Sequence, residues 1–201
     1  MNITDICNMA LSQVAQETIA NVDEQSESAR QCRMYYDITR KNLLSTFRWG
    51  FAERNVKLAL VDTAIPKWDY AYGYPSECLM IHQIYNKERG PADEAYKDDH
   101  YNEYELLTVN DTQKIIGTDI ELAWASYTAD VKNAEAFSSF FCEALAHNLA
   151  YKLAIPLAGS QSLMQQEHQF YQAAISQAMT ASAIETHHKP DYPTHYFDCR
   201  R

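Results

Sequence analysis

At 201 residues the chain is long enough to bury a sizeable hydrophobic core, as one domain or as a helical domain with a small insertion, so disorder is not the starting expectation. Its 27 Asp and Glu against 17 Lys and Arg give a formal charge of -10, which repels a phosphate backbone and argues against a sequence-reading nucleic-acid domain. No basic leader precedes the first apolar run and no stretch reaches transmembrane length, so the expectation is a chain made and folded in the cytoplasm, without membrane contact.

Ile3, Ile6, Cys7, Ala10, Leu11 and Val14 recur at helical spacing behind Asn2, which predicts a short capped helix with one apolar face. Gln16 to Val22 reads as a connection, and Asp23 is the expected cap of a second helix running to about Phe47. On that helix Ala29, Cys32, Tyr36, Leu43 and Phe47 share a side, while Glu27, Arg30, Arg33, Lys41 and Arg48 stay available to solvent or to another subunit. The two helices are expected to pack as an antiparallel pair. The segment Arg48-Trp49-Gly50-Phe51-Ala52-Glu53-Arg54 then joins them to a tyrosine-rich β region, and its aromatics predict a packed joint or a docking surface.

Val56, Leu58 and Leu60 alternate with Asn55, Lys57 and Ala59, so a half-buried strand is expected there, closed by Pro66. Trp68 to Pro75 carries four aromatics ahead of a proline and reads as an extended loop or turn. Leu79 to Tyr85 predicts a strand, and the charged stretch Lys87 to His100, with Gly90-Pro91, predicts a mobile excursion. Tyr104 to Val109, Gln113 to Ile116 and Ile120 to Tyr127 follow as three short strands, with reversals at Asn110-Asp111 and Gly117-Thr118-Asp119 and with Ile120, Leu122 and Trp124 on one face. Together they predict a small, largely antiparallel sheet.

Helical spacing returns from about Ala134 to Ala154 through Phe137, Phe141, Ala144, Leu145 and Tyr151, and Pro156 is expected to break it. Ser162 and Gln165 fit a capping box for a last helix that buries Leu163, Phe170, Tyr171, Ala174, Ile175 and Met179. The expected fold is therefore α+β: residues 1–54 and 130–183 form a four-helix body from N- and C-terminal helix pairs, 55–129 a small antiparallel β insertion, and 184–201 an extended C-terminal tail. Two prolines oppose regular structure in the tail, while Tyr192, Tyr196 and Phe197 give it something to bury on a partner; contact with its own domain is the plainer reading.

Chemistry is poorly signalled. Glu143 and His147 lie four apart on one helix and His168 on the next, but no recognised ligand spacing supports a metal, and a surface Glu to His pair is the simpler account. His187 and His188 are weak ligand candidates for the same reason. Cys7, Cys32, Cys78, Cys142 and Cys199 have no close pairing and read as buried thiols in a reducing compartment; no histidine is placed to activate Cys142. Ser160 and Ser162 follow Gly159 without a nucleophile elbow, and no glycine-rich phosphate loop occurs. The expectation is no catalytic residue, no metal and no cofactor.

Arg30, Cys32, Tyr36, Leu44, Trp49, Phe51, Ala52, Leu58, Ala59, Tyr70, Tyr72, Pro75 and Cys78, in that order, resemble the adaptor or tail tubular protein A family of short-tailed double-stranded-DNA phages. The resemblance runs through the β region to the last helix and covers most of the chain; Glu77 stands where the family's motif has aspartate, and no glycine stands near Gln16 to Thr18. It implies a structural virion protein at the head-tail junction, assembled in the host cytoplasm as a dodecameric ring between the portal protein and a tail nozzle protein of the tubular B type. Double-stranded DNA would pass through it without specific contact. Carried onto this chain, it implies portal docking by Lys189, Tyr192, Tyr196, Phe197, Arg200 and Arg201. Trp68, Tyr70, Tyr72 and Tyr74 would contact the nozzle or support the fold. A cytoplasmic helical scaffold or regulatory binding module without a ring is the alternative, and a metal-dependent hydrolase using Glu143, His147 and His168 a distant third.

Overall fold

The computed structural model describes residues 1–86, 103–110 and 112–185, and the chain is α+β. The first helix, α1 (Ile3–Gln13), starts at Asn2, whose side chain accepts the Asp5 amide at 2.9 Å while the Asp5 carboxylate accepts the Asn2 amide at 2.8 Å. This reciprocal box satisfies two of the amides that every helix start leaves open. At its other end Gln16 donates to the Leu11 carbonyl and Ala15 to that of Ser12, a Schellman closure with alanine at the left-handed position, φ +54°.

The second helix, α2 (Glu27–Ser45), begins later than expected. Ser26 caps it by accepting the Ala29 amide at 3.2 Å, whereas Asp23 lies in a preceding turn and donates its own amide to the Asn21 side chain. Ala29, Cys32, Tyr36 and Leu43 are buried as the spacing predicts, while Phe47 is only partly buried. The expected pairing of α1 with α2 is not found: the two touch sparingly, and each packs chiefly on α3 (Ser139–Ala158). That helix is apolar on most sides and forms the axis of the body, with α4 (Gln161–Glu185) along its remaining flank. All four helices contribute to one core, from Ile6 and Leu11 through Cys32 and Leu43 to Leu145, Leu149 and Ala178.

Pro156 does not break α3. It sits in the last turn, where the missing amide forfeits a single helical bond, and the helix ends at Gly159, φ +59°. Nor do Ser162 and Gln165 open α4; the Ser160 hydroxyl does, accepting the Leu163 amide at 3.3 Å. The buried stripe of α4 is Glu167, Ala174, Ala178 and Ser182, and Phe170, expected inside, is 46% exposed.

Between α2 and α3 the described residues form two three-stranded antiparallel sheets rather than one. Strands β1 (Glu53–Lys57), β6 (Ala123–Ala129) and β3 (Cys78–Asn86) pair in that order, as do β2 (Tyr70–Gly73), β5 (Gln113–Thr118) and β4 (Tyr104–Val109). Leu58, Ile81, Ile84, Ala123 and Ala125 meet Tyr72 and Ile116 in a second core, so the sheets pack face to face. Strand β1 stops at Lys57: the Leu58 amide donates to the Ala123 carbonyl, and the chain then crosses to the other sheet, leaving Val56 and Leu60 exposed. The stretch expected as a loop holds β2, whose alternation is masked by Ala71 and Gly73. Ile120, Leu122 and Trp124 do not share a strand face. Leu122 turns with φ +53°, and it is Ala123 and Ala125 of β6, with Tyr127 partly buried, that pack in the sandwich core with Tyr72.

Candidate docking surfaces

The segment Trp49 to Phe51 is a packed joint. Trp49 is fully buried, donates its indole Nε1–H to the Leu43 carbonyl at 2.9 Å, and meets Phe141 edge-on at 5.0 Å between ring centroids. Phe51 lies 5.1 Å from Phe141 and 5.6 Å from Phe137, so the residues leaving α2 and those entering α3 close one aromatic cluster. Beside it, Arg48 bonds the Glu53 carboxylate and the Ser126 hydroxyl, which itself donates to Glu53 at 3.0 Å. His82 and Thr128 are bonded at 2.7 Å on the same sheet, and burial, then the positive charge of Arg48, hold the imidazole below its ordinary pKa.

The four aromatics proposed for nozzle contact or fold support divide by burial. Tyr72 is wholly buried; its hydroxyl donates to the Ile120 carbonyl at 2.9 Å and accepts the Ala123 amide, which ties the two sheets together. Tyr70 stacks on it at 6.3 Å, and Tyr74 packs partly on the same core, accepting a hydrogen bond from the Cys78 thiol at 3.2 Å. Trp68 lies across Gly117 on the outer side of its sheet, where its indole donates to Glu105 at 3.1 Å and the Lys67 ammonium sits 4.7 Å above its ring. A Cβ at position 117 would stand 2.4 Å from Trp68 Cδ1, so glycine there is what lets the indole approach. The contacts described for these four side chains lie within the β region. Lys189, Tyr192, Tyr196, Phe197, Arg200 and Arg201, expected from the resemblance to dock on a portal, the stretch Lys87 to His100, His187, His188 and Cys199 lie outside the described residues.

The Glu143, His147 and His168 set does not converge. Glu143 is exposed, and His147 bonds Glu167 of α4 at 2.8 Å through Nδ1. The Glu167 carboxylate is almost entirely enclosed. His168 packs its ring against Tyr151 at 5.3 Å instead. Among the described residues no three His, Cys, Asp or Glu side chains come together as metal ligands, and no helix is long and apolar enough to cross a membrane. Cys7, Cys32 and Cys142 are buried thiols; Cys7 hydrogen-bonds Cys32, which pushes its own pKa up and that of Cys32 down.

Arg40 falls on the buried stripe of α2, between Tyr36 and Leu43, where its charge keeps it out of the expected core. It is 1% exposed and donates to the Asp130 carboxylate at 2.6 Å, to the Val131 carbonyl at 2.7 Å and to Asp37 at 2.6 Å, pinning α2 to the segment that runs from β6 into α3. The molecule is thus an α+β protein of two cores, helical and sandwich, held by an aromatic cluster and a set of charged ties. No protein-family model matches the chain, and no curated protein matches it.

Proposed function

We propose that this chain is a head-to-tail adaptor of a short-tailed double-stranded-DNA phage, a structural virion protein that forms a dodecameric ring between portal and tail nozzle. It lines the DNA exit channel and performs no chemistry. The observation that carries the reading is the role of Trp49, Phe51 and Ala52: the residues that bear the family resemblance occupy the joint where α2, α3 and the sandwich meet. The order of two helices, a β insertion and two further helices supports the same reading. Net negative charge suits a passage that encloses DNA without holding it. Portal attachment belongs to the residues beyond α4, with Tyr192, Tyr196 and Phe197 as apolar anchors and Lys189, Arg200 and Arg201 as cationic ones.

Native mass measurement of the portal ring mixed with the full chain tests this. A discrete complex carrying a dodecameric complement is expected, and its loss for a chain ending at Thr186. Folded monomers that ignore the portal would favour the binding-module alternative, and undiminished binding of the shortened chain would remove the tail's role.

A further inference from the structure

Two of the buried thiols meet where little else does. Helices α1 and α2 touch sparingly, yet Cys7 of α1 and Cys32 of α2 are hydrogen-bonded to each other, and both are fully buried. Their neighbours in sequence grip the same connection between the two helices. The Asn8 side chain accepts the Ile19 amide at 2.8 Å and donates to the Ile19 carbonyl at 3.0 Å. From the other side Arg33 donates to the Val22 carbonyl and, at 3.1 Å, to that of Glu24. Each helix is thus pinned to the connection one residue from its thiol, which fixes the approach of the two sulfurs.

We propose that Cys7 and Cys32 are a redox pair that closes reversibly to a disulfide and staples α1 to α2. The oxidant is a low-molecular-weight disulfide. The Cys32 thiol releases its proton to solvent, and the thiolate attacks one sulfur of the oxidant and expels one thiolate, leaving a mixed disulfide. Cys7 then gives up its proton, attacks the Cys32 sulfur and expels the second thiolate, so the two thiols are oxidised and the small disulfide is reduced. Cys32 is the attacking group: the hydrogen bond from Cys7 holds its pKa down against burial, with the Arg33 charge helping, whereas the same bond and burial push the Cys7 thiol up. Burial pushes the Cys142 thiol up as well, and the Cys78 thiol is bonded to Tyr74, so neither competes for that role. The bridge would close a loop over residues 8–31 and remove conformations from the unfolded chain, and it holds whether or not the copies form the ring of the connector reading.

Full burial confines the exchange to moments of local opening. The full chain is therefore equilibrated with reduced and oxidised glutathione across a urea series below its unfolding transition. Quenching with acid, alkylation and peptide mapping without reduction should find Cys7 joined to Cys32 above every other pairing of the five cysteines. The linked chain should melt about 4–16 °C above the reduced one, a gain that disappears on adding reductant and is absent from Cys32→Ala. Cys7 and Cys32 recovered as free thiols or as separate glutathione adducts at every urea concentration, in a chain that circular dichroism shows folded, overturn the proposal. So does a bridged chain that melts below the reduced one.

Discussion

Replacing Arg40 with methionine keeps an unbranched stem in the core and deletes the charge, and it should be among the most damaging single changes in the protein. The guanidinium is almost wholly buried, and its loss leaves the Asp130 carboxylate, 14% exposed, and the Val131 carbonyl without the donor that now serves both. Breaking a buried pair from one side costs about 3–5 kcal/mol, because the surviving charge is uncompensated. Against a typical total of about 5–15 kcal/mol, that is about a fifth or more of the stability of an ordinary domain. The arm to Asp37 adds little: that carboxylate is 59% exposed and is also held by Lys41 at 2.7 Å, so Asp37→Asn should cost less than about 1 kcal/mol. Urea denaturation of Arg40→Met, Asp130→Asn, Asp37→Asn and the Arg40→Met/Asp130→Asn pair gives the comparison, with an unchanged m-value required for each. The double variant should lose less than the sum of its singles. A loss under about 1 kcal/mol for Arg40→Met, or equal losses for the two aspartates, would refute the assignment of Asp130 as the partner that matters.

Other expectations concern single sites. Hydrogen bonds from Arg30, then Gln31, hold the fully exposed Glu27 carboxylate down to about 2. Its folded value lies below its unfolded one, so its stabilising contribution is complete above the ordinary carboxylate range and disappears as pH falls through about 2. A carboxyl NMR titration should give that midpoint and show it rising in Arg30→Gln; an unmoved midpoint would sink the pairing. Ala15→Gly should stabilise the fold by about 0.5–1 kcal/mol, the relief of a left-handed alanine less the added freedom of the unfolded chain, and a fall in melting temperature would contradict the cap geometry. Gly117→Ala should drive the indole of Trp68 off its sheet, red-shifting its fluorescence at a cost of about 1–3 kcal/mol; an unchanged spectrum would place Trp68 elsewhere.

Features set by neighbours along the chain were legible. Ile6, Ala10 and Leu11 announce α1, Phe141, Ala144 and Leu145 announce α3, and four of the strands fall close to their predicted spans. What escaped was set by partners far away. Arg40 sits at helical spacing between Tyr36 and Leu43, but an arginine there reads as exposed because Asp130, which makes its burial tolerable, is 90 residues on. Glu167 reads as a solvent-facing carboxylate until α4 folds back along α3 and delivers it to His147. Alternation in β4, β5 and β6 foretells strands but not which strands pair, so two sheets looked like one. The same limit applied to Tyr72, whose place at the centre of the sandwich depends on Ile120 and Ala123, some fifty residues later.

The two cores differ in what each can fix. Apolar packing inside the helical body and inside the sandwich stabilises each of them, but hydrophobic contact is non-directional and sets their mutual angle poorly. Across the joint the protein uses directional bonds instead: Arg40 to Asp130 and Val131, Arg48 to Glu53 and Ser126, and the Asp130 amide to the Glu77 carbonyl at 2.7 Å. Each requires a particular distance and orientation, and the buried ones are costly to leave half-made. Trp49 locks the aromatic side of the same joint with one hydrogen bond and edge-on ring contacts to Phe47 and Phe141. Charged ties are an inefficient way to stabilise a core and an effective way to hold one body at a set angle to another. That division of labour is what a subunit needs if its helical body meets neighbouring copies while its sandwich is presented elsewhere at a fixed pose.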